Sequence, residues 1–332
     1  MSSVVKEKAN MNKQNKDANK TKLFSKGMRT EIYLIILLTL LFLFFSVTSD
    51  VFLTVNNLKT LARQASIYGI IAIGMLVVII SAGIDLSVGS VTGLSGIVAA
   101  LCMANGISIF ASLIIALVSG LVIGLINGIL IHNGKVPPFI ATMGTMTVVR
   151  ALIMLLTNAS MISGQPEAFR KITQTEFLNI PFLFLVWVVV IIIAMFITTK
   201  TVFGRNVYAV GSNKEAARLS GINIKKTIYG VYIFSAFACS IAGILLTSRL
   251  GNGVPTAGDG YELDAIASAV VGGASLDGGT GSVIGTVLGS MIMATLRQGG
   301  VLLGVNSFVL EIIIGSLIVV AVLVDKVRHQ YI

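Results

Sequence analysis

Charge is what this sequence has least of. Only 11% of its residues are Asp, Glu, Lys or Arg while 55% are hydrophobic, and the mean hydropathy is +0.93. Soluble domains carry about a quarter of their residues charged, so a soluble enzyme or binding module is excluded and an all-α integral membrane protein is expected. The two cysteines, Cys102 and Cys239, both lie in apolar runs and read as small buried hydrophobes rather than a disulfide. The two histidines, His132 and His329, have no Cys, Asp or Glu at ligand spacing apart from Asp325 near His329, so no metal site is expected. There is no G-x-x-x-x-G-K-[ST] phosphate loop, and Gly279-x-Gly281 has the wrong spacing and no lysine. The chain therefore supplies no ATP site of its own and is expected to bind no cofactor.

The charge that is present is unevenly placed. Lys and Arg number 24 against 14 Asp and Glu, a net +10, and they collect in the N-terminal tail, a central loop and the C-terminal end. That is where an inside-positive membrane topology puts them, so the bilayer, not nucleic acid, is the expected partner. Residues 1–30, rich in Lys, Asn and Ser, read as a disordered basic cytoplasmic tail. Residues 31–326 form a single transmembrane domain, and 327–332 a cytoplasmic end.

Hydropathy divides that domain into about ten segments. Ile32–Val47 is a first, uncleaved span, and Ile67–Ala82 a second. Gly83–Leu101 has an acid and several glycines at bilayer depth, which fits a span interrupted by irregular backbone. Ile107–Ile131 carries Gly120, Gly124 and Gly128 at every fourth position, a stripe along which another helix can approach closely. Phe139–Thr157, with Arg150 inside it, and Pro181–Thr199 flank a polar external stretch and bring the count to six. Thr227–Thr247 follows, then a polar external stretch, Gly251–Asp264, and Ala265–Ala274, too short to cross alone as a straight helix. Ser282–Leu296 and Phe308–Val324 complete the count.

The polar loop 200–226 interrupts this apolar order. Ser212-Asn213-Lys214-Glu215 reads as a capping box, with Ser212 accepting from the Glu215 amide and Glu215 reaching back to the Ser212 amide. Good helix formers continue to Leu219, and Gly221 is suited to a left-handed stop. A helix of about 12 Å follows from the usual rise. Arg205, Lys214, Arg218, Lys225 and Lys226 surround a single acid, Glu215, which places the loop on the cytoplasmic side.

An internal echo links two distant stretches: Ile84-Asp85-x-x-x-Gly89-Ser90-Val91-x-Gly93 recurs as Leu276-Asp277-x-x-x-Gly281-Ser282-Val283-x-Gly285. Transporters show such weak symmetry with interrupted helices at matching positions. Asp85 and Asp277 then either fix interrupted helices beside a pathway, through backbone amides and hydroxyls such as Ser87, or are loop-end carboxylates in water. Asn127 and Thr145 are candidates for a pathway or for hydrogen bonds between helices, and Arg150 could pair with an acid inside the bundle. Tyr261, Glu262 and Asp264 read as an outward-facing gate or partner contact, or as acids capping the next helix.

Three stretches carry a family resemblance. SAGIDLSVGS (Ser81–Ser90), VFGRNVYAVGSNKEAARLSGIN (Val202–Asn223) and PTAGDGYELDAIASAVVGGASLDGGTGSVIGT (Pro255–Thr286) resemble the ribose-type permeases of bacterial monosaccharide ABC importers, over roughly Leu34 to Asp325. Glu215, Ala216, Ala217 and Gly221 resemble the docking loop of such permeases, which implies that the short helix is a coupling helix built from Ser212, Asn213, Glu215, Ala216, Ala217, Arg218 and Gly221. The resemblance further implies a cobalamin-importer-like fold, a homodimer in the bacterial inner membrane with both termini cytoplasmic, and an ATPase with two fused cassettes that binds ATP and Mg. An external binding protein would deliver the sugar, with ribose the first choice and galactose, xylose or a furanosyl quorum signal as alternatives. Two other readings compete. The echo and its aspartates would suit a self-contained proton-coupled carrier. An intramembrane aspartyl protease is disfavoured because Thr256-Ala257-Gly258-Asp259 lacks the first glycine of Gly-x-Gly-Asp.

Overall fold

The computed structural model describes residues 31–330; the tail 1–30 and the last two residues of the 327–332 segment lie outside them. The described chain is almost entirely helical. Helix α1 (Glu31–Thr48) is followed by α2 (Val55–Ile80), α3 (Val88–Ala104), α4 (Ile109–His132) and α5 (Pro138–Thr157). Short α6 (Glu167–Ile172) and a two-residue hairpin, β1 (Glu176–Phe177) with β2 (Ile180–Pro181), precede α7 (Phe182–Lys200). Then come α8 (Val202–Ser212), α9 (Lys214–Leu219), α10 (Ile224–Leu250), α11 (Tyr261–Val271), α12 (Val283–Leu302) and α13 (Ser307–Gln330). By length and composition six of these, α1, α2, α4, α5, α7 and α10, can cross a membrane, while α3 and the Ser307–Leu323 part of α13 are apolar but shorter.

Helix α2 is the central post. Its lower half, Ile67–Ile80, is buried on every side, as expected of a helix apolar all round. α7, α10, α11 and α12 surround it, and a Cβ at Gly69 would overlap the Trp187 indole of α7. The helix begins twelve residues earlier than the apolar run predicts, at Val55 rather than Ile67. The added turns carry Lys59 and Arg63, whose cations both pair with Glu176 at 2.5 and 3.0 Å. Hydropathy breaks the helix there; the ion pairs keep it.

The glycine stripe of α4 finds its partner in α10. A Cβ at Gly120 would meet Ser240, one at Gly124 Ala236 and the Tyr232 backbone, and one at Gly128 Tyr229. Close approach of backbones is the main source of helix association where lipid removes the hydrophobic drive. α11, with eleven residues, is only about 16 Å long. It begins before the predicted segment and ends inside it, so this element is a half-length helix.

Gly124→Val should lower stability by roughly 1–3 kcal/mol, the usual cost of overpacking, whereas Gly144→Val, with nothing within 4 Å of the added carbon, should leave it unchanged. Thermal unfolding of the two variants in detergent checks this; equal midpoints would refute the packing assignment.

Candidate functional site

The α8–α9 hairpin starts from a Thr201 cap, whose hydroxyl accepts from the Gly204 amide at 3.1 Å. α8 buries Gly204, Val207, Val210 and Gly211 and exposes the opposite face. The predicted capping box is not formed. Ser212 is the last residue of α8, so its backbone is committed to that helix, and Asn213 takes the extended conformation a cap needs (φ −160°, ψ 105°). The Asn213 side chain accepts from the Ala216 amide at 2.9 Å, and asparagine caps as well as serine. Freed from capping, Glu215 pairs with Arg218 at 2.9 Å. The stop is where glycine predicts it: Gly221 sits at φ +82°, with its amide on the Arg218 carbonyl and the Ile222 amide on that of Ala217. The six-residue helix is about 9 Å long rather than 12. Ala217 is buried against the bundle, while Glu215, Ala216, Arg218 and Leu219, the last 80% exposed, face away from it.

The hairpin is seated on both echo loops at once. A Cβ at Gly211 would occupy the place of the Ile80 carbonyl and crowd the Gly279 amide. Those two groups are themselves hydrogen-bonded at 2.8 Å, joining the α2–α3 loop to the α11–α12 loop. Tyr208 Oη donates to the Gly281 carbonyl at 2.8 Å, and burial pushes its phenol pKa up, which keeps it a neutral donor.

The α2–α3 loop holds the buried carboxylate. Asp85, 3% exposed, accepts from the Ser87 amide (3.0 Å) and hydroxyl (2.5 Å) through Oδ1, and from Ser235 of α10 (3.1 Å) through Oδ2. Asn127 of α4 donates to the Ser87 hydroxyl at 2.9 Å. Thr142 of α5 accepts from the Leu86 amide at 3.1 Å and lies 3.1 Å from the Ile84 carbonyl. Three helices, α4, α5 and α10, thus converge on one irregular segment. Thr145 is not among them; its hydroxyl donates within its own helix, to Ala141. Thr142, nearly one turn earlier on the same face, is the residue the sequence reading passed over. The second echo aspartate differs: Asp277 is 53% exposed and ion-paired to Lys326 at 3.0 Å, the solvent-side alternative of the two open for it.

The stretch predicted as external, Gly251–Asp264, instead descends into the bundle. Gly253 pairs with Ile162 through both backbone groups, the Ala257 carbonyl accepts from Arg150 at 2.9 Å, and Gly258, at φ +76°, packs on the Gly89 carbonyl. Tyr261 stands edge-on to Tyr68, half-way along α2, with ring centroids 4.9 Å apart. Asp264, 1% exposed, accepts from Arg297 Nε (3.1 Å) and Nη2 (2.8 Å), and that guanidinium lies 5.9 Å from the Tyr68 ring centre. At this burial the Asp264 side chain has no surface to offer an external protein. An opening of about 540 Å³ beside the pair is lined by Asp259, Glu262, Arg297 and Glu311 among others. Glu311 was legible as a charge within an apolar segment, the signal that marks function in membranes, whereas Arg297 lies one residue beyond the predicted Ser282–Leu296 segment and inside α12 only because that helix runs on to Leu302. Among the described residues no three His, Cys, Asp or Glu side chains converge as a metal site would require.

Apolar helices around polar, hydrogen-bonded breaks, with a basic hairpin at one end, define a membrane permease. The family described as "Branched-chain amino acid transport system / permease component" matches residues 57–322, and the chain belongs to it. It is 42% identical over 291 residues to the ribose import permease protein RbsC of Bacillus subtilis, covering 87% of this chain and 90% of that one. It is 40% identical over 302 residues to the protein of the same name from Haemophilus influenzae (90% and 92% covered). The xylose transport system permease protein XylH of Escherichia coli is 35% identical over 369 residues (92% and 94% covered). No solved structure matches. The resemblance to ribose-type permeases is thereby borne out, and the protein is an integral membrane protein.

Arg297→Met leaves Asp264 buried without its cation and should cost about 3–5 kcal/mol. Adding Asp264→Leu should recover a large part of that loss. A double variant no more stable than Arg297→Met in thermal unfolding would show that the pair is not the coupled unit described.

Proposed function

We propose that the chain is the transmembrane permease subunit of an ATP-driven ABC importer that moves a monosaccharide, ribose first, into the cell. The single observation that carries this reading is the seat of the hairpin: Gly211 lies against the Ile80 carbonyl and the Gly279 amide, so a push on α9 reaches both interrupted regions through backbone. The exposed face of α9 docks on an ATPase with two fused cassettes, which binds ATP and Mg. Closure of the ATPase moves the hairpin and, with it, the α2–α3 break and the start of α12.

The pathway runs beside Asp259, Glu262, Arg297 and Glu311, which line an opening between α11, α12 and α13. Charges at this depth are costly against lipid, so a second copy of the chain covers them. A neutral sugar passes such a wall by exchanging hydrogen bonds with water for bonds to these groups. Ribose is favoured over xylose because relatives named for ribose import are the more similar at 42% and 40% identity, against 35% for the xylose permease. An external binding protein delivers the sugar, both termini face the cytoplasm, and about ten membrane segments in a cobalamin-importer-like arrangement accommodate the short helix α3 and the half-length helix α11. A proton-coupled carrier is the weaker reading, because Asp277 is exposed and paired with Lys326 rather than buried with Asp85.

Gly211→Leu should leave ATPase binding intact and reduce ATP-driven ribose uptake by proteoliposomes severalfold or more, since the added side chain has to displace the Ile80 carbonyl. Glu215→Arg should weaken ATPase binding itself, as charge reversal at a docking face does. Undiminished uptake in both variants would remove the coupling role of the hairpin.

A further inference from the structure

At the hairpin end, a half-open cavity of about 800 Å³ is bounded by four pieces of chain: the α2–α3 loop at Ser81, the α4–α5 turn at His132 and Lys135, the hairpin at Ser212 and Lys214, and α10 at Ile228 and Tyr232. The transport reading uses the hairpin that forms one wall but assigns no occupant to the cavity. Its charge is one-sided. Lys135 and Lys214 line it with His132, and Lys225 lies within Coulombic reach of that imidazole. Glu215, the acid on its wall, is already paired with Arg218.

Two further observations point to a ligand. Tyr232, 1% exposed, lines the cavity from α10, and its hydroxyl has no hydrogen-bond partner among the described residues. A buried hydroxyl without a partner is destabilising unless something fills the role. Lys135 is held at φ 54°, a left-handed conformation that lysine adopts rarely, and such strain clusters at ligand sites. Lysines and an imidazole suit a phosphate, while the hydroxyls of Tyr232, Ser81 and Ser212 suit a polyol. The volume lies within the range of small-molecule sites, about 300–1,000 Å³.

The geometry points to a binding site for a small phosphorylated sugar, its phosphate held by Lys135, Lys214 and His132 and a sugar hydroxyl by Tyr232. An occupant would tie the hairpin to the α2–α3 loop and so resist the movement that drives transport. That the site faces the cytoplasm rests on the transport reading; that it binds does not. Basic residues at a membrane boundary also attract lipid headgroups, which present the same phosphate chemistry, so the test separates the two.

Calorimetric titration of the purified chain in neutral detergent with a pentose 5-phosphate should give saturable binding that free pentose does not displace. Lys135→Asn, which keeps the left-handed backbone, should weaken it about tenfold, the loss of one charge-assisted hydrogen bond. Tyr232→Phe should weaken the sugar phosphate more than inorganic phosphate. Independently of how these variants fold, the sugar phosphate should slow maleimide labelling of Ser212→Cys. Absence of saturation, binding indifferent to Lys135→Asn, or protection of the cysteine by phosphatidylglycerol micelles and not by the sugar phosphate would overturn the assignment. Uptake is not the readout, so failure here leaves the transport reading standing.

Discussion

The Gly279 amide donates to the Ile80 carbonyl at 2.8 Å, and the lower end of the bundle depends on that bond. Ile80 is the last residue of α2, whose final carbonyls have no helical partner. In a bilayer an orphan carbonyl is expensive. A loop from the other half of the chain satisfies it, and the fit leaves no room for side chains at Gly211 or Gly278. The satisfaction of one helix end therefore fixes three elements in register: the central post, the hairpin and the loop that launches α12.

The same accounting explains why the two echo aspartates behave differently. Asp85 lies where α4, α5 and α10 crowd the break, and three donors, the Ser87 amide and hydroxyl and the Ser235 hydroxyl, meet its oxygens. Asp277 lies in a loop opened outward by Gly278 and Gly279, both at positive φ, and water with Lys326 suffices for it. Sequence similarity preserved the turn chemistry without preserving the environment, because environment is set by neighbours that the ten-residue echo does not contain.

What was legible followed local physics. The Gly221 stop, the glycine stripe of α4 and the polar loop ahead of α10 depend on residues adjacent in sequence or one turn apart. What was missed depended on distance. The start of α2 was hidden because Lys59 and Arg63 lower hydropathy and only Glu176, 117 and 113 residues away, restores them to a helix. The cap of α9 was misassigned by one residue because Ser212 and Asn213 are equally able to cap, and only the end of α8 decides between them. The descent of Gly251–Gly260 was invisible because it needs the side-chain-free surface of Gly89 and Gly93 on α3. A polar, glycine-rich segment reads as an exterior loop until a groove is found that accepts it.

That descent also decides what the bundle lacks. It brings the N-terminus of α11 half-way down α2 and with it Asp259 and Glu262, while α12 and α13 contribute Arg297 and Glu311 to the same opening. Arg297 is committed to Asp264, so the carboxylates of Asp259, Glu262 and Glu311 exceed the cations beside them. Arg150 answers part of this excess from the other side, 3.8 Å from Asp259. Hydrocarbon does not solvate carboxylates, so the remainder calls for water or a further polar surface beside the opening. The exposed apolar face of α13, with Phe308, Ile312, Val319 and Leu323, flanks the opening, so apolar and charged surface meet along one side of the bundle.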